Sequence, residues 1–386
     1  MQHYLEELWK RIDSYHHRSE LTAREAAIKL IFWNIKYLFK HKTRKSGFTD
    51  NVFHIAFVPF GGIGDFAYAT KYIYCLKKIF KKDISISILT DYHLEASKYF
   101  WETAEYIDHV HPYTKSHHYD CEIALCRFPF IRYIDKKRFQ KVASKELKHY
   151  LETVSYFMKK QQLFYQSDYL GRCYSLLHGR TRENQADIEN ILGMSKINDF
   201  TVPLHTCDYE KALQKFGLQE DQYIVLQTGS GNHFKDNSDV RQWPLEHYEE
   251  SIRKIKKINS SIQIVQIGEE YHESLKHTDI DLLGKTSFKE ILAILKGARL
   301  LISQEGGMPI LRHFISQRCS CVIFGPTDKE FYGFNENINL TANLCNGCEW
   351  LTDDWNLKCT RGYSIPPCMK SISPEMLVNS IKKYLT

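Results

Sequence analysis

The sequence predicts an α/β protein built from two Rossmann-like domains that face each other across a cleft. Three observations carry this expectation. At 386 residues the chain is too long for one ordinary core. A strand, a glycine turn and a helix open its first half, and a second strand follows them. From residue 223 a longer run of strands alternates with helices. Strands joined by helices become parallel neighbours, because a parallel pair needs a crossover connection. The expected division is an N-terminal domain of residues 1–205 with a helical extension at its start, and a C-terminal domain of residues 206–386. The polar stretch Asp199 to Asp208, holding Pro203, is the expected linker.

In chain order, residues 21–42 read as a helix with apolar Ile28, Leu30, Ile31, Trp33, Ile35, Leu38 and Phe39, followed by the basic run Lys40, His41, Lys42, Arg44 and Lys45. Two readings stand: residues 21–45 lie on an anionic membrane face, or the helix packs on the first domain and ends in a solvated charged tail. Val52 to Phe60 reads as a strand, Gly61-Gly62-Ile63-Gly64 as a tight turn, Asp65 to about Lys81 as a helix and Ile84 to Leu89 as a strand. Between His109 and Asp199 the pattern thins to a strand over Tyr119 to Arg127 and a helix over Leu147 to Tyr165. The second half predicts strands Tyr223–Gln227, Ile262–Ile267, Leu300–Ser303 and Ser320–Phe324, with helices Leu245–Ile258, Ser287–Leu295 and Met308–Ser316. A last helix, Pro374 to Tyr384, would fit a crossing back to the first domain.

Composition excludes some classes. With 43% hydrophobic, 25% charged and 13% aromatic residues, the chain can bury a core and is not a disordered polymer. A net charge of +6 is small for this length; it favours anionic partners such as phosphates or a lipid surface mildly and does not imply nucleic acid. No apolar run of ~18 residues could span a bilayer, and the start carries no basic and apolar signal sequence. A cytoplasmic protein is expected, with peripheral contact at the inner membrane tied to residues 21–45. Seven of the eleven cysteines scatter through apparent helices and strands as buried thiols, while Cys345, Cys348, Cys359 and Cys368 crowd into one polar segment.

Four constellations carry chemistry. In the first, Gly62, Gly64 and Ala67 satisfy the dinucleotide fingerprint G-x-G-x-x-[GA], with Asp91 after the next strand. A pyrophosphate over this turn would, however, sit beside the Asp65 carboxylate at the same helix end. An acid aimed into the cleft suits a general base that takes a proton from an acceptor hydroxyl, although Asp is also a common helix cap. In the second, Thr228, Gly229 and Ser230 leave a strand, Arg241 offers a forked cation that suits a diphosphate, and Gly268 and Glu269 end the neighbouring strand. In the third, Glu305, Gly306, Gly307 and Met308 join a strand to a helix, where glycine amides can point at an anion and the acid can accept from sugar or ribose hydroxyls. The fourth is the cysteine set, whose close pair and two singles can complete a tetrahedral shell around structural zinc or iron, or remain thiols.

Taken together, these residues resemble glycosyltransferase family 9, the bacterial heptosyltransferases. The matching pieces are Gly62-Ile63-Gly64-Asp65, Gly229-Ser230 with Arg241-Gln242-Trp243-Pro244, Asp281 to Ser287, Glu305-Gly306-Gly307 and Phe324-Gly325-Pro326-Thr327. The resemblance implies a GT-B fold, inverting transfer without a catalytic metal, and ADP-heptose as nucleotide-sugar donor. It places Asp65 as the base, Arg241 on the donor phosphates and Glu305-Gly306-Gly307 on the donor. The acceptor it implies is a lipopolysaccharide-core glycan or an autotransporter adhesin protein, and some adhesin-modifying relatives carry a comparable cysteine cluster bearing iron. The chain departs from the family in having Glu305-Gly306-Gly307 for Asp-Ser-Gly or Asp-Thr-Gly, and Ile310 for a following His, with His313 nearby. Asp279-Ile280-Asp281 looks like a metal-binding D-x-D but leads into a strand end, and is read as structural. Two rival functions remain at this point: a dinucleotide-dependent oxidoreductase using Gly62, Gly64 and Ala67, and a non-catalytic module stapled by a metal at the cysteines.

Overall fold

The computed structural model describes Ile28 and residues 46–386, apart from 60, 91–94, 103, 113–117, 126–128, 165–167, 185–187, 230–239, 344 and 353. The helix expected over residues 21–42, and with it the membrane contact of residues 21–45, lies outside the described residues except for Ile28, which is helical and exposed. Asp91 and Ser230 also lie outside them.

The first sheet grows from β1 (Phe53–Pro59), α1 (Ile63–Phe80), β2 (Ile84–Leu89), α2 (Glu95–Glu102), β3 (His109–His111), β4 (Cys121–Leu125) and β5 (Pro129–Ile134). Its strand order is β3-β2-β1-β4-β5, parallel throughout except for β5, which pairs antiparallel with β4. The central strands are rich in apolar residues and buried along nearly their whole length because helices cover both faces of a parallel sheet; Ile55 pairs with Ile86 on one side and Cys121 on the other, and all three are fully buried. Helices α3 (Lys136–Val142), α4 (Lys145–Phe164), α5 (Asp168–Leu177) and α6 (Ile188–Ile191) complete this half.

The second sheet is wound from α7 (Thr206–Phe216), β6 (Tyr223–Gln227), α8 (Leu245–Ile258), β7 (Gln263–Ile267), β8 (Ile280–Asp281), α9 (Phe288–Gly297), β9 (Leu300–Gln304), α10 (Gly307–Ser316), β10 (Ser320–Phe324), α11 (Lys329–Tyr332) and β11 (Ile338–Thr341). All its strands are parallel, in the order β11-β10-β9-β6-β7-β8. Helices α12 (Pro367–Lys370) and α13 (Pro374–Ile381) follow. Helix α9 starts with a reciprocal capping box: Ser287 Oγ accepts from Glu290 N, and Glu290 Oε2 accepts from Ser287 N.

One apolar cluster runs through both sheets. Phe288 on α9 meets Tyr99 and Phe100 on α2 at ring distances of 5.4 and 5.5 Å, and Tyr68 on α1 meets Phe314 on α10 edge-on at 5.3 Å. A second cluster on the outer face of the second sheet gathers Trp243, Tyr248, Ile252 and Ile255 with Leu377, Val378 and Ile381 of α13. The last helix therefore stays on its own lobe and does not cross back as the sequence reading allowed. Its apolar stripe matches that of α8, and Glu375 pairs with Lys254 at 2.8 Å beside the contact. The Asp279 and Asp281 carboxylates are structural: Asp279 accepts from Ile264 N at 2.7 Å, and Asp281 from Leu283 N at 2.9 Å.

Arg312 on α10 is fully buried and spends its guanidinium on backbone carbonyls. It donates to Leu295 O and, at 2.8 Å, to Ala298 O at the end of α9, and at 3.2 Å to Cys319 O. A helix end leaves carbonyls without partners, and a cation there also answers the negative end of the dipole. Replacing Arg312 with Met keeps most of the volume but orphans these acceptors. At about 1–3 kcal/mol for each orphaned group, Arg312→Met should cost about 3 kcal/mol or more in denaturant unfolding; a loss below about 1 kcal/mol contradicts this account.

Candidate active site

The glycine turn is shaped by contact rather than by an open cradle. Gly61 has φ 121°, and a Cβ there would lie 2.3 Å from Asp65 Oδ2. Gly62 caps α1, so Asp65 sits three residues inside the helix rather than at its cap. Its Oδ2 accepts from Gly62 N at 2.9 Å and its Oδ1 from Arg182 Nη2 at 2.6 Å. A Cβ on Gly64 would lie 2.6 Å from Ile310 Cδ1 and 3.3 Å from Gly307 Cα, and one on Gly307 would lie 2.4 Å from Ile63 Cγ2. The heads of α1 and α10 thus meet through glycines, and the Asp65 carboxylate, 29% exposed, lies beside the junction. This geometry opposes the dinucleotide reading: Gly62 N–H already serves Asp65, and Ile310 covers Gly64.

Across the junction lie the strand ends of the second sheet. Thr228 is buried and its Oγ1 accepts from Gln266 Nε2 at 3.2 Å. Gly229 and Gly268 close on the ring of His272, which a Cβ at either position would strike at 2.2 and 2.4 Å. The His272 Nδ1 accepts from Glu269 N at 3.1 Å, which leaves the Glu269 side chain exposed at the edge. Arg241 Nη1 stands 3.8 Å from Glu305 Oε2, with the guanidinium 5.9 Å over the Trp355 ring. Gly306 is extended with open space where a Cβ would point, and Met308 is half-buried at the head of α10. The structure thus groups Gly229, Gly268 and Glu269 about His272, with Thr228 bonded to Gln266 beside them, and Arg241 with Glu305, Gly306, Gly307 and Met308.

Sequence reasoning missed Arg182 and His272. Arg182 lies 117 residues from its carboxylate, in the stretch between His109 and Asp199 where the sequence pattern is thinnest. His272 follows Glu269 in a polar turn, and only the closeness of two glycines to its ring marks it.

A cavity of about 250 Å³ opens beside α1 rather than at the second sheet's edge, walled by Tyr68, Lys71, Arg182, Glu183, Lys196 and Phe334. Glu183 takes Lys71 Nζ at 2.6 Å and faces His313 Nε2 at 3.6 Å; His313 stacks on Phe334 at 3.7 Å and bonds Glu336 Oε1 through Nδ1. Burial pushes the Glu183 carboxyl up, but His313 and the Lys71 ammonium outweigh it and bring it down to about 2. Burial likewise pushes His313 down, and the carboxylates Glu183 and Glu336 outweigh it and raise it.

The four cysteines of the 345–368 segment share one neighbourhood. Burial, then Cys345, Cys348 and Cys359, push the Cys368 thiol up to about 12. Among the described residues no three His, Cys, Asp or Glu side chains stand grouped to hold a metal ion. Arg172 of α5, itself buried, ties the segment down: Nη2 donates to Gly347 O at 2.6 Å and Nη1 to Glu349 Oε2 at 3.4 Å.

Two α/β lobes thus meet at an acid-bearing helix head, and the second lobe carries an Arg–Glu pair. Residues 181–352 match glycosyltransferase family 9 (heptosyltransferase). That span holds Arg182, Thr228 to Glu269, Arg241 and Glu305 to Met308; it leaves out Asp65 and the last two cysteines. The structure is similar to a family 9 glycosyl transferase from Veillonella parvula DSM 2008, with 14% identity, TM-score 0.50 and coverage of 87% of this chain and 98% of that one. It is similar also to the E. coli ADP-heptose LPS heptosyltransferase II, at 9% identity and TM-score 0.51, covering 86% and 98%. A third similar structure is TibC of enterotoxigenic E. coli H10407, described as an iron-containing dodecameric glycosyltransferase, at 14% identity and TM-score 0.55, covering 86% and 78%. These likenesses establish the GT-B fold. No curated protein matches the sequence.

The Glu183 cluster gives a pH signature. A carboxyl held below its ordinary 4.5 stabilises the fold fully above that value and loses its contribution as pH falls toward about 2. The raised His313 works oppositely: its contribution is complete below 6.5 and lost as pH rises through its folded value. Glu183 is 37% exposed, so solvent screens the effect. The gap in Tm between wild type and Glu183→Gln should therefore narrow as pH drops from 4.5 toward about 2; a gap constant over that range rejects the pairing.

Proposed function

We propose that this protein is an inverting glycosyltransferase that moves heptose from ADP-heptose to a hydroxyl of a glycan or of a protein such as an adhesin. One observation carries the reading: the Asp65 carboxylate, held by Gly62 N–H and Arg182, sits where the first lobe's α1 meets the glycine head of α10. The family match over residues 181–352 supports the donor half of the reading. Its domains are residues 1–205 for the acceptor and 206–386 for the nucleotide sugar.

In this reading Asp65 removes the acceptor proton as the oxygen attacks the anomeric carbon. Arg241 and the amides of Gly229, Ser230, Gly306 and Gly307 stabilise the departing diphosphate, while Glu269 and Glu305 accept from hydroxyls of the donor. Charge on the leaving group meets a cation and backbone dipoles, so the chemistry needs no metal. Asp65→Asn should lower kcat by ~10²–10⁴ while leaving donor affinity within ~2-fold, read by transfer assays and calorimetric titration of ADP-heptose. Unchanged kcat in that variant removes Asp65 from the role.

The cysteine segment suits a structural metal by its donor chemistry: each of the other three cysteines raises the Cys368 thiol, and four thiolates are a set that zinc or iron takes. Cys345, Cys348, Cys359 and Cys368 would hold it, and it would staple the segment without entering the transfer step. The neighbour TibC, described as iron-containing, favours iron. Elemental analysis of the purified protein should find ~1 metal per chain, lost together with several degrees of Tm in Cys359→Ser and Cys368→Ser; metal-free protein of unchanged Tm overturns the staple.

A further inference from the structure

Arg182 reaches the candidate base although no motif marks it. Its guanidinium is 5% exposed, lies 4.5 Å over the Tyr68 ring and donates from Nη2 to Asp65 Oδ1 at 2.6 Å. The backbone N–H of the same residue donates at 2.7 Å to the carbonyl of Phe331 on α11, in the second lobe. The next residue, Glu183, takes Lys71 on α1 and faces His313 on α10. Residues 182 and 183 therefore bind both lobes at once, and the side chain between them ends on the candidate base.

We propose that Arg182 is a positioning residue that aims the Asp65 carboxylate and ties its aim to lobe contact. The inference rests on the reading of Asp65 as the base. Gly62 N–H holds one carboxylate oxygen and Arg182 the other, so the side chain keeps a single rotamer. Left with Gly62 alone, the carboxylate can swing about its remaining bond, and a base misplaced by ~1 Å loses ~10²-fold in rate. The guanidinium is in turn fixed against Tyr68, and the main chain of Arg182 is bonded to α11, so separation of the lobes pulls on the residue that orients the base.

The test uses the full chain with ADP-heptose and its acceptor. Arg182→Ala should lower kcat by ~10–100-fold with the donor KM unchanged, and guanidinium ions in solution should restore part of the lost turnover. Arg182→Lys, which keeps the charge and folding of the site but not the fork, should fall between wild type and the Ala variant. In an Asp65→Asn background Arg182→Ala should cost nothing further, because its effect passes through that carboxylate. An unimpaired Arg182→Ala beside an inactive Asp65→Asn overturns the proposal and leaves the base reading standing. Equal losses from Arg182→Ala in both backgrounds also overturn it, since they mark a merely structural role. Full turnover in Asp65→Asn sinks the base reading and this proposal with it.

Discussion

The close approach of two glycines governs the rest of this molecule. Gly64 on α1 and Gly307 on α10 leave no room for a Cβ between the helix heads, and each would drive one into an isoleucine of the other lobe. Because the heads meet there, Asp65 falls beside the lobe junction and its carboxylate comes within reach of Arg182. The aromatic contacts of Tyr68 with Phe314, and of Tyr99 and Phe100 with Phe288, hold the same junction from the apolar side. Glycines that sequence alone offers as a phosphate cradle serve here to let two backbones touch.

Buried arginine does three kinds of work in this fold. Arg312 satisfies the carbonyls that end α9, Arg172 anchors the cysteine segment to α5, and Arg182 meets a carboxylate at the site. The guanidinium suits all three because it is planar, forked and weakly hydrated, so its bonds can replace the water it loses. A lysine in any of these places could reach only part of the same set of acceptors.

What was legible in the sequence follows from how local each signal is. Tyr223–Gln227, Leu245–Ile258 and Ser320–Phe324 were read to their termini, because each is an apolar run or amphipathic stripe that a neighbour within the same half satisfies. Strands β3, β8 and β11 hold three, two and four residues, too few for a period to declare itself, and β5 goes unread because the sequence offers one strand over Tyr119 to Arg127 in that stretch. Asp65, Arg241 and Glu305 stood out because glycines or strand ends frame them. Arg182 and His272 act through contacts set only by the assembled chain, which no spacing encodes.

Because α13 settles on α8, the described backbone passes from one sheet's territory to the other only near residues 200–206. That passage is itself stitched to the second lobe: Val202 N donates to Phe314 O at 2.8 Å, and Phe200 packs on the Phe314 ring at 5.5 Å. Among the described residues, then, the lobes are joined covalently at one pivot, and the pivot is fastened to α10. A swing of either half is felt first along the helix whose leading turn presses on Gly64, so opening and the loosening of that turn are mechanically one event.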